Sequence, residues 1–231
     1  MKSSQIVTFV VDKELDIENH LIALNSYKRN RNRVFTQKEN KDLETLSNLS
    51  IEEAKIEIQK TVETYYKNAE KLISLAKGIN EEWVKIEKDF IEKLEKIHKF
   101  PFTHKAVKGV LSTATRFGYN MNNGWFATDS SRDKFACMDV AMHELMHFMF
   151  HKYYDEVCKK SDLTPGEMWD IKESSTVLLN LECGELLSHQ EVGYPPHREL
   201  RAVIEKSWMQ NKDFDKTLAD AIEFVKNKRI A

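Results

Sequence analysis

Glycine and proline are scarce in this sequence, at 7 and 4 of 231 residues. Turns are therefore few and the elements between them long, which leans the chain toward helix. Cysteine is scarcer still. Three stand alone (Cys137, Cys158, Cys183), an odd number with no CxxC spacing. A disulfide scaffold or a cysteine-built structural zinc site is not expected, and a reducing, cytoplasmic setting fits. Excess charge of either sign is missing too: 35 basic against 37 acidic residues gives a formal net charge of −2. Nothing tracks a phosphate backbone, so nucleic acid is not the expected partner. The one basic cluster, Lys28, Arg29, Arg31 and Arg33, reads as a solvated helix end or loop. No apolar run approaches the ~18 residues that span a bilayer, so no membrane association is expected. The apolar stretch near the start is broken by Asp12, too short for a signal segment, and reads as a strand.

What is present is ordinary for a soluble globular chain: 41% hydrophobic and 31% charged residues, enough for one domain or two small ones. Residues 5–11 predict a strand and 13–30 a helix; 31–49 is polar, loop or weak helix. Ser50 and Glu53 form a capping box. Behind them Ile51, Ala54, Ile58, Val62, Tyr65, Ala69, Leu72 and Ala76 recur at steps of three and four, one stripe of a long helix ending at Gly78. Asn80 then caps a second helix with the stripe Trp83, Ile86, Phe90, Leu94 and Ile97, stopped before Pro101. Together they predict an αα-hairpin over 51–99, either packed on the rest of the chain or open to a protein partner. Residues 106–129 turn β-like, with a hairpin signal at Asn123-Gly124 and a strand at WFATD. Helices follow near 133–153, 165–188, 197–209 and 213–228, the second opened by Thr164 as N-cap, Pro165 at N1 and Glu167 at N3. The fold class is α+β, mainly helical with a small sheet. Residues 1–104 form an N-terminal helical region and 105–231 a second region that carries the chemistry.

That chemistry sits in Asp139-Val-Ala-Met-His143-Glu144-Leu-Met-His147-Phe-Met-Phe-His151. On a helix His143 and His147 lie one turn apart on one face, where both imidazoles reach one Zn²⁺ at about 2.0–2.1 Å. Glu144 sits about 100° round the helix, placed to take a proton from water beside the ion. The flanking residues are apolar on all sides, so the helix is buried, and its histidines and glutamate need partners that a metal and a water supply. A third protein ligand is required, with the fourth position open. Glu173, central on the following helix and backed by Val177 and Leu178, fits best; Asp170 and His151 are the rivals. His151 lies two turns from His143, roughly 12 Å along a straight helix, too far for easy joint ligation. Asp139 either supports a ligand's free ring N–H or is solvated or capping.

The stretch His143-Glu144-Leu-Met-His147, followed by Glu173, resembles the HExxH zincin metallopeptidases of the gluzincin, thermolysin-like branch. The resemblance covers roughly 106–190. It implies one zinc per chain held by His143, His147 and Glu173, with Glu144 as general base and a peptide or protein as substrate. It also implies an upstream edge strand that pairs with substrate, and Asn123-Gly124-Trp125-Phe126 is similar to that segment, giving Gly124, Trp125 and Phe126 as substrate-binding residues. The family also places a His, Tyr or Arg to steady the oxyanion; Tyr194 and His197, in Gly193-Tyr-Pro-Pro-His-Arg198, are the candidates, in a stretch that reads equally as a rigid loop entering a helix. The chain departs from the pattern in a longer gap from His147 to Glu173, and in Val177, where the family carries an Asp that supports a zinc-binding His. Two further readings stay open: a catalytically silent zincin-like binding or regulatory protein, and a zinc hydrolase of a non-peptide amide.

Overall fold

The computed structural model describes residues 5–29, 37–114 and 116–229. The fold is α+β and mainly helical, with one four-stranded mixed sheet. The chain forms two compact units, each built from two stretches. One runs to Val84 and resumes over His104–Cys137; the other takes Lys85–Thr103 and the chain from Met138 onward. The chain crosses between the units at 84/85, 103/104 and 137/138, the first and last of these within helices. Among the described residues no helix is long and apolar enough to cross a membrane.

In the first unit β1 (Val7–Val10), β2 (Val107–Ser112) and β4 (Trp125–Asp129) run parallel, and β3 (Tyr119–Asn120) pairs antiparallel to β4, in the order β1-β2-β4-β3. The hairpin expected at Asn123-Gly124 is present but short: it joins β3 to β4, and Gly124 takes the positive φ of 64° the turn needs. Gly109 on β2 has a different reason for lacking a side chain. A Cβ there would lie 2.7 Å from the Phe9 ring, which packs edge-on against Trp83 and Phe126. On the other face Val110, Trp125 and Ala127 form a cluster with Leu15 and Ile22 of α1 (Lys13–Arg29). Asp16 and Asn19 of α1, both buried, pin the segment after β2. Asp16 accepts from Ser112 Oγ, Thr113 N and Thr113 Oγ1, and Asn19 accepts from Gly118 N.

The helices after α1 follow expectation in part. The polar 31–49 stretch contains a regular helix, α2 (Gln37–Ser47), whose Leu43 joins Ala23, Leu24 and Ala54 in the core; Arg31 and Arg33 of the basic cluster lie outside the described residues. The Ser50–Glu53 capping box opens α3 (Ile51–Tyr66) as expected. The break follows Tyr66, however, and α4 (Ala69–His98) runs unbroken through Gly78 and Asn80. One interior glycine costs a helix only about 1 kcal/mol, which buried Ala76, Ile79 and Trp83 outweigh. Rather than closing a hairpin on α4, Ile58 and Val62 of α3 pack with Ile17 of α1. Asn80, expected as a cap, uses its side chain on the sheet: Oδ1 accepts from Phe9 N and Nδ2 donates to Phe9 O, both at 2.8 Å. Together with Gln5 Nε2 on Val7 O, this saturates outward-facing groups of edge strand β1.

In the second unit, α5 (Lys134–Lys160) contributes its length from Met138. Tyr154 of α5 donates to His98 O, and its ring packs on Phe214 of α9 (Phe214–Lys228). The helix expected over 165–188 is two. The Thr164–Glu167 capping box opens α6 (Pro165–Ser175), and α7 (Val177–Glu182) follows after a break at Thr176. Ser175 Oγ donates to Ile171 O and Thr176 Oγ1 to Glu173 O, the side-chain competition that bends and ends helices. A 3₁₀ turn at Pro195–His197 leads into α8 (Arg198–Asn211).

Candidate metal centre

Helix α5 is buried on nearly every side around its motif: Met142, Leu145, Met146, Phe148, Met149 and Phe150 are all in the core. Within that apolar cylinder the rings of His143 and His147 stand edge to face, centroids 4.3 Å apart. Glu173, in the last turn of α6, completes the group. Among the described residues, His143, His147 and Glu173 each offer a ligand atom, all within 4.8 Å of one another. Glu173 Oε2 lies 3.4 Å from His143 Nε2 and 3.3 Å from His147 Nε2. These separations exceed the roughly 2.7–2.9 Å of a charge-assisted hydrogen bond. Two bonds of about 2.0–2.1 Å meeting near the tetrahedral angle place their ligand atoms roughly 3.3–3.4 Å apart. The donor set therefore fits a divalent first-row ion, without selecting zinc over its neighbours.

Around the triad lie groups whose charge the burial shifts. The other carboxylate oxygen of Glu173, Oε1, accepts from Lys172 Nζ at 2.7 Å, and both side chains are buried. Burial opposes the Glu173 charge, but His147 and Lys172 outweigh it and hold the carboxyl far below the usual range. Burial, with Lys172 adding to it, drives His147 well below the ordinary histidine value, so its ring is neutral. Burial also opposes charge on His143, but the carboxylates of Glu173 and Glu191 outweigh it and raise that ring to about 10. Glu144, one residue along, is buried, and its Oε2 has no hydrogen-bond partner among the described residues. Burial pushes its carboxyl up to about 7, against the opposing pull of His143 and Lys172. A carboxyl titrating there is matched to taking up and returning protons near neutral pH.

The structure sorts the remaining candidates. Asp170 is committed to His197, Oδ1 to Nε2 at 3.0 Å, and His151 to Asp155, Nδ1 to Oδ1 at 2.8 Å, so neither joins the triad. Asp139 holds the segment after α7: it accepts from Ser188 N and Oγ and from His189 N. Tyr194 and His197 pack with Trp169 of α6, ring centroids 5.5 Å and 5.0 Å from it, with His197 buried and Tyr194 nearly half exposed. Gly124, Trp125 and Phe126 are not an open edge. Trp125 and Phe126 pair with β2 on one side and with β3 on the other, and both side chains are buried. The sheet's antiparallel edge strand is Tyr119–Asn120 instead.

Sequence reasoning missed Glu191. Its Oε2 lies 3.1 Å from His143 Nδ1, the nitrogen turned away from Glu173. Forty-eight residues separate the two, beyond the reach of any helical spacing rule. The one sequence signal was negative: Val177 stands where a supporting carboxylate was expected. No family model, curated protein or solved structure matches the chain.

Proposed function

We propose that this chain is a metal-dependent hydrolase, a zinc peptidase of the gluzincin kind. The observation that carries the reading is the convergence of His143, His147 and Glu173 on one point, with buried Glu144 beside them. Zinc in such a donor set polarises a carbonyl oxygen and makes a water acidic near neutral pH. The protein's own residues supply the rest. Glu144 accepts a proton from the attacking water at its carboxylate and returns it to the leaving amine. Lys172 keeps Glu173 charged and turned so that Oε2, rather than Oε1, faces the imidazoles. His143, with its side chain 20% exposed, marks the side from which water and substrate approach.

The test is zinc content together with turnover of a peptide library by the parent and by Glu144→Gln. The variant should retain one ion per chain and lose turnover. Turnover that survives in the variant, or a parent that takes up no divalent ion, overturns the proposal. A metal-loaded parent with no turnover would favour the silent-scaffold reading. Ile51, Ile56 and Tyr65 of α3 and Ile73 of α4 are exposed apolar residues that such a reading would use as a partner surface.

A further inference from the structure

The zinc reading leaves the orientation of His143 unexplained, because a histidine offers a cation only one nitrogen and must carry its proton on the other. We propose that Glu191 is the positioning residue for His143, fixing Nδ1 as the protonated nitrogen so that Nε2 faces Glu173. The inference rests on the metal-site reading and assigns a role to a residue outside the HExxH motif and its third ligand. A carboxylate on the outer nitrogen of a ligand imidazole sets both tautomer and ring angle.

Glu191 is built into its position from several directions. Asn180 of α7 clamps its backbone: Oδ1 accepts from Glu191 N and Nδ2 donates to Glu191 O, each at 2.8 Å. Arg201 Nη2 donates to the same carbonyl at 2.6 Å. Gly193 N donates to Oε1 at 3.0 Å, which leaves Oε2 for His143. Gly193 reaches this geometry at φ 66°, and a Cβ there would come within 2.7 Å of the Arg201 guanidinium. The other end of the segment is tied to α5 itself through Asp139, four residues before His143, which binds Ser188 and His189.

Arg201 couples this frame to the third ligand. It is buried, and its Nη1 donates to Thr176 Oγ1 at 2.9 Å, which in turn donates to Glu173 O at 2.7 Å. One guanidinium thus holds both the carbonyl of the residue that orients His143 and the helix end that carries Glu173. A solvated surface glutamate would have none of these fixed partners.

The experiment compares the parent protein with Glu191→Ala and Glu191→Gln. Zinc affinity is read by competition with a chromophoric chelator, and the Nδ1–H of His143 by long-range ¹H–¹⁵N spectra of metal-free and zinc-loaded protein. Removing an outer partner of this kind weakens metal binding roughly 10–100-fold. Glu191→Ala should show that loss, together with a shifted, fast-exchanging Nδ1–H. Glu191→Gln retains an acceptor oxygen and should recover most of the affinity. It also serves as the reading if the alanine variant fails to fold. An alanine variant that binds zinc as tightly as the parent with an unchanged Nδ1–H signal overturns the proposal, as does a glutamine variant no better than alanine. If the parent binds no zinc, the metal reading fails, while the metal-free spectra still decide whether Glu191 holds His143.

Discussion

Replacing Glu173 by Gln separates the structural role of that residue from its proposed ligating role. In the metal-free protein the buried Lys172 ammonium has the Glu173 carboxylate at 2.7 Å, with side-chain exposures of 4% and 8%. Removing one partner of a buried pair costs about 3–5 kcal/mol, because the other charge stays buried without its counter-ion. Glutamine keeps the shape and an acceptor oxygen for Nζ, so the lower figure, about 3 kcal/mol, applies. For a chain of this size each kcal/mol moves Tm by about 2–4 °C, giving an expected fall of about 6–12 °C. Thermal melts in excess chelator, followed by circular dichroism, read this directly. The double variant Glu173→Gln/Lys172→Met, which removes both charges, should recover most of the loss while still binding zinc poorly. Recovered stability without recovered affinity is the signature of the two roles. If the single variant melts within about 1 °C of the parent, or the double is no more stable than the single, Lys172 and Glu173 are not a charge pair held out of water.

Asn80→Leu strips β1 of both hydrogen bonds at Phe9, a loss of about 1–3 kcal/mol. It should lower the urea midpoint and, by opening a strand edge, raise the tendency to associate in sedimentation; an unchanged midpoint would refute the edge-protection role. Arg229 forms a paired contact with Glu167, and it is the main cause, ahead of the opposing burial and the Thr164 hydrogen bonds, of a Glu167 carboxyl held at about 2. A depressed carboxyl contributes stability that is complete above its unfolded pKa and is lost as pH falls through about 2. Arg229→Met should therefore be destabilised at neutral pH and converge on the parent as acid is added, and a gap that stays constant down to pH 2 would contradict the pairing.

The parts of the fold that were legible are those where a local rule had no competitor. Ser50-x-x-Glu53 and Thr164-x-x-Glu167 open helices because each box satisfies backbone donors that lack helical partners. The errors came where a long-range contact overrode a local preference. Gly78 and Asn80 read as a stop and a start, yet the buried apolar face carries α4 through them and the sheet takes up the Asn80 amide. The resemblance gave Asn123-Gly124-Trp125-Phe126 as an edge segment, and nothing in the sequence announces that the two residues Tyr119-Asn120 lie outside it. The break at Thr176 was written in Ser175-Thr176, whose hydroxyls turn back on the helix, but the leucines after it look equally helical.

The candidate site divides along the same line. His143, Glu144 and His147 were readable because one helix sets their spacing, and Glu173 because its neighbours fix which face turns inward. Glu191, Arg201 and Asn180 obey no spacing. They meet because a loop closed by a positive-φ glycine passes over two helix ends. The candidate ligands thus sit on helices, while the side chains that contact them from behind sit on a pinned segment. A helix pair alone presents the two imidazoles but leaves the His143 ring free to rotate about its own bonds. The carboxylate at Nδ1 of His143 comes from outside the helix, although α5 can supply one from a turn away, as Asp155 does for His151. Asp139, one turn before His143, is instead used to anchor the loop that carries Glu191.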